Sequence, residues 1–253
     1  MSEQLKRLQE RHEHYHREGR LFDVARRVRK ANKILSIMAD YSSVPLDELT
    51  CLDIGCSAGM MTTLFAERFN QMIGIDVDQE AVSYAQLTKK IANVQYCLSD
   101  GARVPLPNET MDAVICAQVY EHIQDPAGLA REIYRVLKPG GFCFFSGPNR
   151  LSVMEEHTGL PFIHWFPRSI ANWSVKVTGR GTHFEENLKT YWSLRRLWKR
   201  FVVIDYSPLL ITSPDRFSMQ DEVRSDMLAA RIPAGIYRTL SFLIPNFNWI
   251  LIK

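Results

Sequence analysis

Between Thr50 and Ser146 short apolar runs alternate with segments of helical periodicity, and this rhythm limits the fold more than any other feature of the chain. Thr50 to Ile54, Met72 to Ile75, Val94 to Leu98, Ala113 to Ala117 and Phe142 to Ser146 have the length and composition of buried strands. Met60 to Phe69, Gln79 to Ala92 and Pro126 to Leu137 space their apolar residues as helices do. Strand alternating with helix requires right-handed crossovers and therefore parallel strands. The expected architecture is α/β: a doubly wound, Rossmann-like, mainly parallel sheet with helices on both faces. A helix at Leu188 to Phe201 and strands at Val202 to Asp205 and Trp249 to Ile252 complete it at seven strands.

The flanking segments read as additions to one domain spanning 1–253. Leu5, Leu8, Leu21, Val24, Val28, Ile34, Leu35 and Met38 recur at helical spacing with a break at Gly19, so 1–48 is expected to form an N-terminal helical cap. The core is 49–149. Segments 150–187 and 207–245 interrupt the strand–helix rhythm and are expected to be substrate-side insertions, the C-terminal lid of the fold.

Bulk composition excludes more than it identifies. A chain of 253 residues with 46% hydrophobic residues can bury a large core. Its formal charge of +3 falls well short of the domain-wide basicity of nucleic-acid binders without excluding a local basic patch; a nucleic-acid partner is not expected because no appended RNA-binding module, and no NPPY-like tetrapeptide where CAQVYEH stands, is seen. The polar N-terminus lacks the apolar stretch of a secretory signal, and no run of apolar residues is long enough to span a bilayer. Five cysteines, an odd number with no CxxC pair, read as reduced thiols of a cytoplasmic protein.

In the doubly wound class ligands bind beyond the carboxyl ends of the strands, so each strand end is a candidate for chemistry. The first strand runs into LDIGCSAG, Leu52 to Gly59, a glycine-rich turn before a helix. A dinucleotide fingerprint would need glycine where Ser57 and Met60 stand. Asp53, two residues before Gly55, would repel a diphosphate and attract a cation such as an amino-acid ammonium. Gly55 and Gly59 would let a ligand approach the backbone. Asp76 ends the second strand in IGIDVD, about twenty residues beyond the turn, the interval at which a carboxylate reaches a ribose diol. Asp100, followed by Gly101, ends the third strand, where its oxygen can accept from a purine amino group. Each aspartate taken singly could equally cap a helix or a turn.

The joint pattern resembles a family. LDIGCSAG, GIDVD, SDGARVPLPNETMDAV, VYEHIQDPAGLAREIYRVLKPGG and FCFFSGPN, in this order, are similar to class I S-adenosylmethionine-dependent methyltransferases, in particular the type 11 branch that includes ubiquinone and menaquinone biosynthesis methyltransferases. The resemblance is close over Cys51 to Asn149 and loose beyond. It implies S-adenosylmethionine as cofactor, with Asp53, Gly55, Cys56, Ser57 and Gly59 about the methionine part. It further implies Asp76 and Val77 at the ribose and adenine, Asp100 and Gly101 at the adenine amino group, and Gln118 beside the sulfonium. The family usually has glycine where this chain has Ser57 or Ala58, a departure that bears on affinity.

Methyl transfer from a sulfonium is an in-line displacement that asks for alignment and exclusion of water, and needs neither metal nor covalent intermediate. A hydroxyl acceptor would benefit from a base, for which the candidates are His122 in VYEHI and His157 and His164 in EEHTGLPFIHWFP. Each could equally be a packing residue. His12, His14 and His16 read as a solvated helix face rather than a metal site, and Arg26 to Lys30 likewise. Leu160, Phe162, Ile163, Trp165, Phe166 and Trp173, with IPAGIYRTLSFLIPNFNWI, are apolar enough to form a pocket for a lipid-like acceptor or to touch a membrane surface, and equally to pack on each other. The expected activity is methylation of a small or lipid-linked molecule at oxygen or carbon. An RNA or protein methyltransferase, a non-catalytic scaffold or sensor of the nucleoside, and a NAD-dependent oxidoreductase are the competing readings.

Overall fold

A computed structural model of the chain describes residues 24–152, 173, 176–178, 188–220 and 234–253. The first described element, α1 (Val24–Tyr41), is the second half of the expected cap; His12, His14 and His16 lie outside the described residues. Then follow β1 (Thr50–Ile54), α2 (Met60–Ala66), β2 (Gln71–Asp76), α3 (Gln79–Thr88), β3 (Val94–Leu98), β4 (Met111–Ala117), α4 (Pro126–Val136) and β5 (Leu137–Pro148). The chain ends through α5 (Tyr191–Leu197), β6 (Val202–Asp205), α6 (Ser207–Thr212), α7 (Ala234–Thr239) and β7 (Asn246–Ile252).

The strands form one seven-stranded sheet in the order β3-β2-β1-β4-β5-β7-β6. β3, β2, β1, β4 and β5 are parallel, and β7 runs antiparallel between β5 and β6. The expected sheet is therefore observed. Because β7 is reversed, its first residues lie at the edge where the parallel strands end, with Asn248 opposite Ser146 and Asn246 opposite Pro148.

Alternation along each strand feeds two cores, one per face. α1 and α2 cover one face, where Ile34, Ile37, Met38 and Phe65 pack with Ile115, Phe144 and Ile250. α4 and α5 cover the other, where Leu129, Ile133, Leu194 and Trp198 pack with Phe145, Phe247 and Trp249. The central strands present apolar side chains to both cores, as strands buried on two faces must.

Several boundaries differ from the sequence reading. β5 begins at Leu137, which pairs with Met111 before the Lys138–Gly141 turn loops out and pairing resumes at Phe142 opposite Ala113. Gly140 takes φ +78° in that loop. α3 stops at Thr88, where Lys89 closes the last turn onto the Ala85 carbonyl, rather than reaching Ala92. α5 starts only at Tyr191, because Leu188 to Thr190 serve a junction: Asn149 and Lys189 form a parallel bridge, and the Arg150 amide donates to the Lys189 carbonyl (3.1 Å). The buried Tyr120 hydroxyl ties the same junction together, donating to the Pro148 carbonyl (2.5 Å) and accepting from the Lys189 amide (3.2 Å). The chain thus leaves the sheet after Asn149 and returns to the same place at Lys189.

Candidate active site

The carboxyl ends of β1, β2, β3 and β4 open into one cavity of about 840 Å³. Ile54, Gly55, Ile75, Asp76, Val77, Asp100, Gly101, Gln118, Val119, His122 and Ile123 are on its wall, with the cationic side chains Arg103 and Arg131 also lining it.

The glycine-rich turn is held by the neighbouring strand. Both the Gly55 and Cys56 amides donate to the Ile75 carbonyl, at 2.8 and 3.0 Å. Gly55, Ser57 and Gly59 adopt φ of 80°, 49° and 76°, the left-handed region that glycine enters without a Cβ penalty. A Cβ on Gly55 would stand 2.6 Å from Val119 Cγ2, and one on Gly59 2.6 Å from the Tyr96 hydroxyl. The sequence reading gave these glycines to the approach of a ligand; here protein side chains fill the space above them.

Asp53 ends β1 on the face covered by α1 and α2. It is 5% exposed, and Thr62 of α2 donates to its Oδ2 at 2.7 Å. Burial pushes its pKa up to about 7; the Thr62 hydrogen bond opposes this, Asp76 adds to it, and Lys30 of α1 opposes it. Cys56 sits below the turn with Val82, Ala85 and Tyr96, and burial drives its thiol far up, so its side chain is core while its backbone shapes the turn. Asp53, Cys56, Ser57 and Gly59 underlie the cavity without lining it.

Asp76 organises the turn as well as facing the cavity. Its Oδ2 accepts from the Ser57 amide (2.7 Å) and its Oδ1 from the Asp78 amide (2.9 Å). A carboxylate has about four acceptor positions, so two remain for a diol. Val77, 75% exposed, offers an apolar surface beside it. Asp100 accepts from the Ala102 amide at 2.5 Å, the turn-capping role that its position before Gly101 suggested, and stays exposed at the cavity.

At the end of β4, Gln118 holds φ 61°, a conformation that costs a residue with a Cβ about 1 kcal/mol. Its amide donates to the Ser146 carbonyl (2.9 Å), and its Nε2 donates to Asn246 Oδ1 of β7 (3.1 Å). His122 is exposed on the cavity wall, its amide donating to the Val119 carbonyl (3.0 Å). His157 and His164 lie outside the described residues, as do Leu160, Phe162, Ile163, Trp165 and Phe166.

The structure therefore brings Gly55, Asp76, Val77, Asp100, Gly101, Gln118 and His122 to one wall. Sequence reasoning missed Val119, Tyr96, Thr62 and Asn246. Thr62, three residues into the helix after the turn, was within reach of a helical-wheel argument. Asn246 comes from a strand 128 positions away, and no local signal marks it.

Comparison with known proteins finds similarity to methyltransferases. Residues 52–145 match the family model described as a methyltransferase domain. A ubiquinone biosynthesis O-methyltransferase of Pseudomonas fluorescens is 32% identical over 136 residues, which are 52% of this chain and 54% of the relative. A probable S-adenosylmethionine-dependent methyltransferase of Mycolicibacterium smegmatis is 34% identical over 101 residues, 40% of this chain and 38% of that one. The chain thus spans about half or less of the length of these relatives. The crystal structure of an S-adenosylmethionine-dependent methyltransferase from Mesorhizobium loti superposes with a TM-score of 0.55 over 83% of this chain and 93% of its own, at 14% identity, a likeness of fold.

Proposed function

We propose that this chain, which carries a class I S-adenosylmethionine-dependent methyltransferase domain, transfers the cofactor's methyl group to a small or lipid-linked acceptor at oxygen or carbon. One observation carries the reading: the carboxylates of Asp76 and Asp100 stand at adjacent strand ends on the wall of one cavity, with the exposed Val77 between them in the chain. That set suits a ribose diol, the amino edge of a purine and the purine's apolar face. A dinucleotide would bring its diphosphate over the turn where Asp53 is buried, an arrangement opposed by charge.

The bound cofactor would supply an electrophilic methyl on a sulfonium. The chain's own residues bind and orient. Asp76 and Asp100 fix the nucleoside, Gln118 lies at the β4 end where the methyl would point, and segments 150–187 and 207–245, expected from the sequence as substrate-side insertions, would exclude water. The name of the Pseudomonas relative supports oxygen as the methylated atom. For a hydroxyl acceptor His122 is the candidate base on the wall, with His157 and His164 as candidates from segment 150–187. The apolar composition of the two segments supports an acceptor with a hydrocarbon part, met in the cytoplasm or at a membrane surface. No helix among the described residues is long and apolar enough to cross a membrane.

Calorimetric titration with S-adenosylhomocysteine, with NADH in parallel, tests the cofactor assignment. Micromolar binding of the first alone supports it; binding of NADH alone would return the chain to the oxidoreductases. Incubation with methyl-labelled cofactor and separated cell extracts then tests the acceptor. Label in an RNA or protein fraction, instead of an organic-soluble one, would refute the small-acceptor reading, and cofactor binding with no label anywhere would favour a sensor or scaffold.

A further inference from the structure

Asn32, Ser36 and Asp40 stand four residues apart on α1 and so share one side of that helix. Facing this row are Arg68, just beyond the end of α2, and the 3-10 turn Pro214–Phe217 with Ser218 after it. The two sides border a groove of about 490 Å³. It shares no lining residue with the cavity at the strand ends.

Donors exceed acceptors in this groove. Asp40 is the carboxylate on its wall, and both oxygens are engaged: Oδ1 accepts from Arg216 Nε at 2.7 Å and from Nη2 of the same guanidinium, and Oδ2 accepts from the Tyr206 hydroxyl at 3.1 Å. That clamp compensates the Asp40 charge, fixes the plane of Arg216 and leaves Nη1 unused. Arg68 is exposed, and none of the described residues accepts from its guanidinium, a group with five N–H donors and no acceptor. The Asn32 amide hydrogens are likewise unspent on the described residues. The Ser36 and Ser218 hydroxyls lie 3.3 Å apart, so one donates to the other and the second hydroxyl hydrogen is left over. Two planar cations, an amide and a hydroxyl thus offer donors from three segments of the chain. A carboxylate would bring two oxygens in one plane, whereas a phosphoryl group brings three acceptor oxygens in a tetrahedral array and up to two negative charges.

We propose that the groove between α1, the end of α2 and the 214–218 turn binds a phosphoryl group, with Arg68 and Arg216 as its charged donors and Asn32 and a serine hydroxyl as its neutral ones. Asp40 positions Arg216. The site lies on the face of the sheet covered by α1 and α2 and does not depend on the cofactor assignment. A set of side chains that merely ties the turn to α1 would need Asp40, Arg216 and the serines but not Arg68. Dependence on Arg68 therefore separates binding from tethering.

The test is calorimetric titration with phenyl phosphate, at constant ionic strength, of wild type, Arg68→Ala, Arg68→Lys, Arg216→Ala and Arg103→Ala. Arg68→Ala and Arg216→Ala are each expected to weaken binding about tenfold or more, the range of hydrogen bonds to a charged group. Arg68→Lys keeps the charge but loses the planar fork, so it recovers only part of the affinity. Arg103→Ala, which removes a cation from the strand-end cavity instead, should leave binding within about twofold. Should Arg216→Ala fail to fold with Asp40 left unpaired, Arg68→Ala decides, since it breaks no side-chain hydrogen bond among the described residues. Co-sedimentation with phosphatidylcholine vesicles, with and without phosphatidic acid, distinguishes the sources of the phosphoryl group. Binding of phenyl phosphate with no capture by either vesicle supports a soluble phosphate ester, and capture by the phosphatidic acid vesicles alone, abolished by Arg68→Ala, supports a lipid headgroup. No binding of either probe, equal loss in every variant, or loss in Arg103→Ala alone would overturn the proposal.

Discussion

Gly55→Ala puts a methyl where the structure has no space for one, and the two components of its effect can be measured apart. The backbone component follows from φ 80°, which costs alanine about 1 to 2 kcal/mol. The contact component follows from the 2.6 Å between the new Cβ and Val119 Cγ2; valine is β-branched and stiff, so relief requires a rotamer change or a backbone shift, typically about 1 to 3 kcal/mol. Gly140 supplies the control, since it has φ 78° and nothing within 4 Å of a Cβ. Gly140→Ala should therefore lose about 1 to 2 kcal/mol and Gly55→Ala about 2 to 5 kcal/mol. The assay is denaturant unfolding of the single variants, Val119→Ala and the Gly55→Ala/Val119→Ala pair. The pair should be more stable than the sum of its singles by about the contact component. If Gly55→Ala proves no less stable than Gly140→Ala, and Val119→Ala brings no relief, packing is not what excludes a side chain at residue 55. The glycine would then belong to the ligand, as the sequence alone suggested.

Asp53, raised to about 7 by burial, binds its proton more tightly in the folded chain than in the unfolded one, where a carboxyl titrates near 3.9. Its contribution to stability is therefore full below about pH 4, falls as the pH rises towards 7 and is flat above, a span on the order of 4 kcal/mol; the difference between wild type and Asp53→Asn in unfolding free energy across that window measures it. Asp76→Ala should weaken S-adenosylhomocysteine binding by about 1 to 3 kcal/mol, and because it also removes the acceptor of the Ser57 and Asp78 amides, those amides should exchange faster with solvent. Unchanged affinity in a folded variant would refute the ribose assignment. Asn149, fully buried, donates through Nδ2 to the carbonyls of Phe242 and Ile244, so Asn149→Ala should cost about 2 to 4 kcal/mol and speed hydrogen exchange over 240–245. Exchange left unaltered there would refute its role as the clamp on that segment.

The sheet and its helices were legible because buried parallel strands and amphipathic helices write their periods directly into the chain. Asp76 and Asp100 were legible too, since the strand end fixes where each stands. What escaped were the consequences of three-dimensional contact. Asp53 was read from the turn alone, and its burial against Thr62 was not legible, because the cover on that face of β1 comes from α1 and α2. Cys56 was read with the turn, yet its side chain belongs to the cluster under Tyr96, a residue forty positions on. The boundaries of β5 and α5 were misplaced where tertiary hydrogen bonds, at Leu137 and Lys189, outweigh local propensity.

The junction at Asn149 and Lys189 has a consequence for how such a chain can diverge. Because the two ends of the excursion meet, a change in its length bears little on the sheet: the entropy of closing a chain grows only with the logarithm of its length, about 0.6 kcal/mol per doubling. Insertions, deletions or wholesale replacement of the residues between can be tolerated without re-registering a single strand. Under the function proposed above, the residues between the bridge partners can therefore change by recombination while the nucleoside wall changes by point substitution, with the Asn149–Lys189 bridge and the Tyr120 hydroxyl left in place.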